Sequence, residues 1–152
     1  MIEEFREYSE TPKTQVSCKE QGKEFLLIST QDLFYKVKVD GGLDNSQESK
    51  CDYLIIKASD DSIWLYVELK GKDIKKAFEQ IEATHNKYKD IINQTRKFYG
   101  AIVASRVAPK TTTTQQILIS KMKNKYKMEC LVCSQKLKLR YNQNSNSIVK
   151  QS

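Results

Sequence analysis

No apolar run in this 152-residue chain approaches the length of a membrane span. The longest, Tyr53 to Ile56 and Ile63 to Val67, are strand-sized, so no membrane partner is expected. A signal peptide is not expected either. The opening Met1-Ile-Glu-Glu-Phe-Arg-Glu carries acidic charge where export needs basic charge and an apolar stretch, so a cytoplasmic location is expected. The four cysteines, Cys18, Cys51, Cys130 and Cys133, are too few and too scattered to form a disulfide scaffold. There is no internal repeat and no evident linker.

What remains is the composition of one ordinary globular domain, 39% hydrophobic and 30% charged, long enough to fold around its own core. Lysine and arginine outnumber aspartate and glutamate by 26 to 19, a formal charge of +7. Such a balance favours association with polyanions, nucleic acid first among them.

Along the chain, Ile2 to Glu10 has short-helix character and ends at Pro12. Phe25 to Ile28 and Phe34 to Val39 read as strands, the second alternating Tyr35, Val37 and Val39 with Lys36 and Lys38. Gly41 and Gly42 belong to a turn. Further strands are expected at Cys51 to Lys57 and at Ile63 to Lys70, joined by a turn at Ser59 to Ser62. From Asp73, a candidate N-cap, Ile74, Ala77, Phe78, Ile81 and Tyr88 fall on one helical face. Phe98 to Ala104 reads as an apolar strand, Gln115 to Tyr126 as a second helix, and Glu129 to Tyr141 as a last strand. This order predicts an α/β (α+β) sandwich with a central mixed sheet flanked by helices over residues 1–141. The polar stretch 142–152 is expected to be a disordered tail.

The strand at Ile63 to Lys70 is the informative one. Period-two alternation sets Ile63, Leu65, Val67 and Leu69 on one face and Trp64, Tyr66, Glu68 and Lys70 on the other. Two charges thus stand at the end of a strand that is otherwise apolar on both faces, where ions need partners. Asp52 lies in phase with Leu54 and Ile56, and counting back across the tight turn brings it close to Glu68 and Lys70. Carboxylate oxygens suit Mg²⁺ or Mn²⁺, and a lysine beside them could position water or stabilise charge on a phosphate. Lys36, Lys38, Lys72, Lys75 and Lys76 could track a phosphate backbone.

Asp52, then Glu68-Leu69-Lys70 after a short turn, then a helix opening Gly71-Lys-Asp-Ile-Lys-Lys-Ala-Phe-Glu-Gln80, resembles the core of the PD-(D/E)XK nuclease superfamily. That resemblance implies the restriction endonuclease-like fold and a Mg²⁺-dependent nuclease acting on phosphodiester bonds, with DNA as the expected partner. It implies metal binding by Asp52, Glu68 and the Leu69 carbonyl, catalysis by Lys70, and a supporting polar role for Gln80. Cys51 stands where the name-giving proline would be. Members often add a glutamate from the first helix, and Glu3, Glu4, Glu7 and Glu10 are all candidates. A homodimer is the arrangement that lets one site per chain cut both strands. The alternative is a catalytically inactive module on the same fold that binds nucleic acid or a protein.

Other residues have blander readings. Cys130-Leu-Val-Cys133 would offer zinc two of four ligands, yet positions three apart on a strand face opposite ways, so buried reduced thiols are expected. His85 is expected to be a surface or capping residue, and Trp64 and Tyr66 to be core. Lys121, Lys123, Lys125 and Lys127 form a solvated helix face by default.

Overall fold

The computed structural model describes residues 1–71, 73–91, 96–106 and 113–151, and of Lys70 the main chain alone. Among these residues the order is α1 (Glu3–Glu7), β1 (Gln15–Glu20), β2 (Lys23–Ile28), β3 (Phe34–Lys38), β4 (Tyr53–Lys57), β5 (Ile63–Gly71), α2 (Ile74–Tyr88), β6 (Lys97–Ala104), α3 (Thr113–Tyr126), β7 (Met128–Ser134), β8 (Lys136–Asn142) and β9 (Ser147–Lys150). They build two sheets, one of five strands in the order β3-β4-β5-β6-β7 and one of four in the order β1-β2-β8-β9.

In the larger sheet β3, β4 and β5 run antiparallel, and β6 and β7 continue parallel to β5. Helices α2 and α3 are the crossovers that parallel neighbours need. The alternation along β5 decides the layering. Trp64 and Tyr66 pack into a core with Phe5, Phe78, Ile81 and Met122 from the three helices. Ile63, Leu65, Val67 and Leu69 pack into a second core with Val16, Phe25, Leu27 and Leu139 from the smaller sheet. The five-stranded sheet is therefore buried on both faces, between helices and a second sheet. The mixed α/β class agrees with expectation, but the central sheet is not flanked by helices on both sides: a second sheet covers the face opposite them.

Local chemistry explains the joints. Asp61 takes a left-handed φ of 63° in the β4–β5 turn, where Asp60 accepts the Ser62 N–H at 3.0 Å. Asp73 caps α2 by accepting the Lys76 N–H at 3.3 Å. Gln135, at φ 64°, lets the chain leave one sheet for the other. Its N–H donates to the Ala104 carbonyl at 3.0 Å, and its carbonyl accepts the Glu24 N–H at 2.9 Å. The single strand expected over 129–141 is therefore two, β7 and β8, in different sheets. An alternating pattern runs unbroken across such a joint and does not reveal it.

Two more expectations need correction. The segment Gln15–Glu20, unassigned in the sequence, is β1, paired antiparallel with β2. The stretch 142–152 is not a loose tail over its described length, because Ser147–Lys150 forms β9 against β8 and Ile148 is buried. Asn146 holds that hairpin. Its Oδ1 accepts from Tyr141 Oη at 2.7 Å and Lys57 Nζ at 3.0 Å, while its Nδ2 donates to Ser62 Oγ at 3.2 Å.

Candidate functional site

The β4–β5 register pairs Tyr53 with Val67 and Leu54 with Tyr66, and Asp52, just before β4, lies against the Val67–Leu69 end of β5. Asp52 donates its N–H to the Val67 carbonyl at 3.1 Å, and its Oδ2 accepts the Leu69 N–H at 2.8 Å. Its carbonyl accepts from the N–H groups of Val39 at 3.0 Å and Asp40 at 3.3 Å. Asp52 is 4% exposed and Glu68 1%. Carboxylates so removed from water are stable only with polar partners, and both have them.

Beyond Glu68 the strand changes register. Glu68 pairs with Ile102 of β6 and Gly71 with Ala104, so β5 spends one residue more than its neighbour. Such a bulge re-aims the chain, and counting by twos no longer carries from Glu68 to the residues after it. The side chain of Lys70 and the whole of Lys72 lie outside the described residues.

Helix α2 is tied to the same place. The Cys51 N–H donates to Thr84 Oγ1 at 2.9 Å, and that hydroxyl donates to the Gln80 carbonyl at 3.0 Å. Gln80 and Lys76 line a polar cavity of about 530 Å³ between α2 and the loop 40–50, where the lining residue Asp40 donates its N–H to the Asp52 carbonyl. Asp52 and Glu68 are not among the residues that line it. Lys75 and Lys38 are exposed. Lys36 is placed differently: it donates to the Ser17 carbonyl at 2.9 Å, pairs with Glu10 at 3.1 Å and lies 5.3 Å from the Tyr53 ring centroid. It works as a strut between the sheets.

Glu20, on the unforeseen β1, belongs to the same electrostatic neighbourhood. Burial pushes the Tyr53 hydroxyl up, and the charges of Glu20, Asp52 and Glu10 push the same way. Burial also drives the Cys18 thiol up to about 12, eased by Lys36 and reinforced by Asp52, Glu10 and Glu20. No spacing rule could have found Glu20, since the smaller sheet brings it there. Of the first-helix candidates only Glu10, just past α1, shares this neighbourhood through Lys36 and Tyr53. Among the described residues, no three His, Cys, Asp or Glu side chains cluster tightly enough to hold a metal on their own.

His85 is not at the surface. It is 2% exposed, with Nδ1 2.8 Å from Tyr66 Oη and its ring edge-on to Phe98 and Tyr126. Burial, together with the charge of Lys89, lowers its pKa to about 4, so it is neutral and structural at pH 7. Trp64 and Tyr66 are core, as expected. Cys130 joins the helix-side core and Cys133 packs toward the other, on opposite faces of β7. Lys121 and Lys125 pair with Glu82, and Lys123 with Glu129, across a solvated face.

These features define a mixed α/β sandwich with two buried carboxylates, Asp52 and Glu68, at the end of an antiparallel strand pair. No protein-family model matches the chain, and neither curated proteins nor solved structures yield a match to it.

Proposed function

We propose that the chain is a metal-dependent nuclease of the PD-(D/E)XK type, cutting phosphodiester bonds in DNA. The observation that carries this reading is that buried Asp52 bonds the main chain on both sides of buried Glu68, its N–H donating to the Val67 carbonyl and its Oδ2 accepting the Leu69 N–H. The succession of three antiparallel strands, helix α2 and parallel β6 supports it, because that is the order of the superfamily's core.

The donor set fits a hard cation: two carboxylates and a strand-end carbonyl, all oxygen. Asp52, Glu68 and the Leu69 carbonyl would hold Mg²⁺ or Mn²⁺, which when bound supplies a water of lowered pKa and positive charge beside the phosphate. Lys70 would steady the attacking water or the developing charge, and Gln80 would orient water or phosphate from α2. Lys76, Lys75 and Lys38 would hold the flanking backbone.

The test is cleavage of plasmid, linear and single-stranded DNA with Mg²⁺ or Mn²⁺, comparing wild type with Asp52→Asn, Glu68→Gln and Lys70→Ala. Metal-dependent cutting should fall by at least about a hundredfold in each variant while folding is retained. Cutting that survives all three would place the chemistry elsewhere. The 1% exposure of Glu68 favours a second reading, a non-catalytic module on the same fold. Salt-sensitive DNA binding without any cutting would select it.

A further inference from the structure

The cavity beside Asp52 has walls built for something other than a bare phosphate. One wall is the loop 40–50, and Asp44, buried within it, organises that loop. Its carboxylate accepts from the Ser46 N–H at 2.9 Å and the Ser46 hydroxyl at 2.6 Å, and it pairs with Lys87 of α2 at 3.0 Å and Lys50 at 3.8 Å. Burial acts to raise the Asp44 pKa, but the Ser46 and Lys87 contacts outweigh it and hold the group at about 2. The turn before it is equally tight. A Cβ at Gly42 would sit 2.5 Å from the Lys38 carbonyl oxygen, so only glycine fits. The wall is thus preorganised.

Its surface chemistry is mixed. Of the two lysines lining the cavity, Lys50 is engaged with the carbonyls of Ser46 and Glu48 and with Asp44. Asn45, Gln47 and Gln80 offer amides that both donate and accept, and Glu48 offers a carboxylate that only accepts. A phosphate facing that carboxylate is disfavoured. Flat polar rings with donors and acceptors along one edge suit the set, and about 530 Å³ is within the range that encloses a nucleoside-sized ligand. Amides pair with adenine through its N6 amine and N7, and carboxylates accept from the cytosine N4 amine.

We propose that this cavity receives one unpaired nucleotide, read along its base edge with preference for bases bearing an exocyclic amine. The substrate is then single-stranded or locally unpaired nucleic acid. Inserting a paired base would first require its unpairing and unstacking. The inference rests on the nuclease reading for the position of the scissile phosphate beside Asp52, and on the cavity alone for base recognition.

The experiment is fluorescence anisotropy of labelled 20-residue oligonucleotides of dA, dC and dT, and of a random-sequence duplex, with the full chain in EDTA. Binding to dA and dC should be roughly tenfold tighter than to dT, the discrimination one good bidentate contact provides. The combined variant Asn45→Ala, Gln47→Ala, Glu48→Gln should erase that difference. Equal or tighter binding of the duplex, a base preference that survives in the variant, or no binding of any oligonucleotide would overturn the proposal. Cleavage assayed in parallel with Mg²⁺ separates the two readings. Base preference without cutting removes the nuclease and keeps the pocket; cutting without base preference does the reverse.

Discussion

The side chain of Asp52 accepts the main-chain N–H of Leu69 at 2.8 Å, so a candidate metal ligand is also a strut of the strand that carries its partner Glu68. Removing Asp52 therefore perturbs structure and chemistry together. Asp52→Ala leaves a buried N–H without an acceptor and should cost about 1–3 kcal/mol of stability. Asp52→Asn keeps an oxygen in place and should cost less than half as much. Urea unfolding of both variants decides this; equal losses would mean that the charge, and not the hydrogen bond, is what the site needs.

His85 predicts a pH dependence of stability. Its pKa is about 4 in the folded protein against 6.5 for an ordinary histidine, so between those values the unfolded chain binds the extra proton. Stability is then full above pH 6.5 and declines as pH falls toward 4, by about 3 kcal/mol over the whole window. Asp44, held at about 2, loses its contribution only below the usual carboxylate range near 3.8 and does not overlap that window. Urea unfolding from pH 7 to 4.5 should show a steeper loss for wild type than for His85→Gln. Parallel slopes would mean that His85 titrates alike in the folded and unfolded states.

Gly100 of β6 lies beside Cys130 of β7, and a Cβ there would come within 2.9 Å of the Cys130 sulfur. Gly100→Ala should destabilise by about 1–3 kcal/mol through overpacking. Adding Cys130→Ala opens the space, so the double variant should be more stable than the sum of the two single losses. Thermal melts of the four proteins form the cycle, and strict additivity would show that the two residues do not compete for room.

Deleting residues 143–152 should destabilise the whole domain. It removes the buried Ile148, the Asn146 bonds to Lys57, Tyr141 and Ser62, and the Ile148 N–H that Tyr99 Oη accepts at 3.2 Å. A loss of about 2–4 kcal/mol is expected from one buried aliphatic side chain and several hydrogen bonds. Unchanged melting would make the segment the dispensable tail that its polar composition suggests.

The elements of the larger sheet and its helices were legible because their burial shows in local sequence. The continuous apolar runs Tyr53 to Ile56 and Ile63 to Val67, covered on both faces, and the stripe Ala77, Phe78, Ile81 and Tyr88 in α2 report burial directly. The nearness of Asp52 to Glu68 was legible too, because a short turn between antiparallel strands leaves few registers. The second sheet was not. Its strands β2 and β8 come from opposite ends of the chain, β1 and β9 hang on them as hairpin edges, and a polar strand lying at a sheet edge differs little from a loop in local pattern. The same distance hid the environment of Glu20 and the role of Lys36 as a strut, while His85 looked exposed until α3 and β6 closed over it. Sequence alone determined which residues alternate and where the chain turns, since those depend on neighbours a few positions away. Which charges are buried, which are paired, and which border the cavity beside Asp52 was decided only by packing between layers, where the contacts come from residues far apart in the chain.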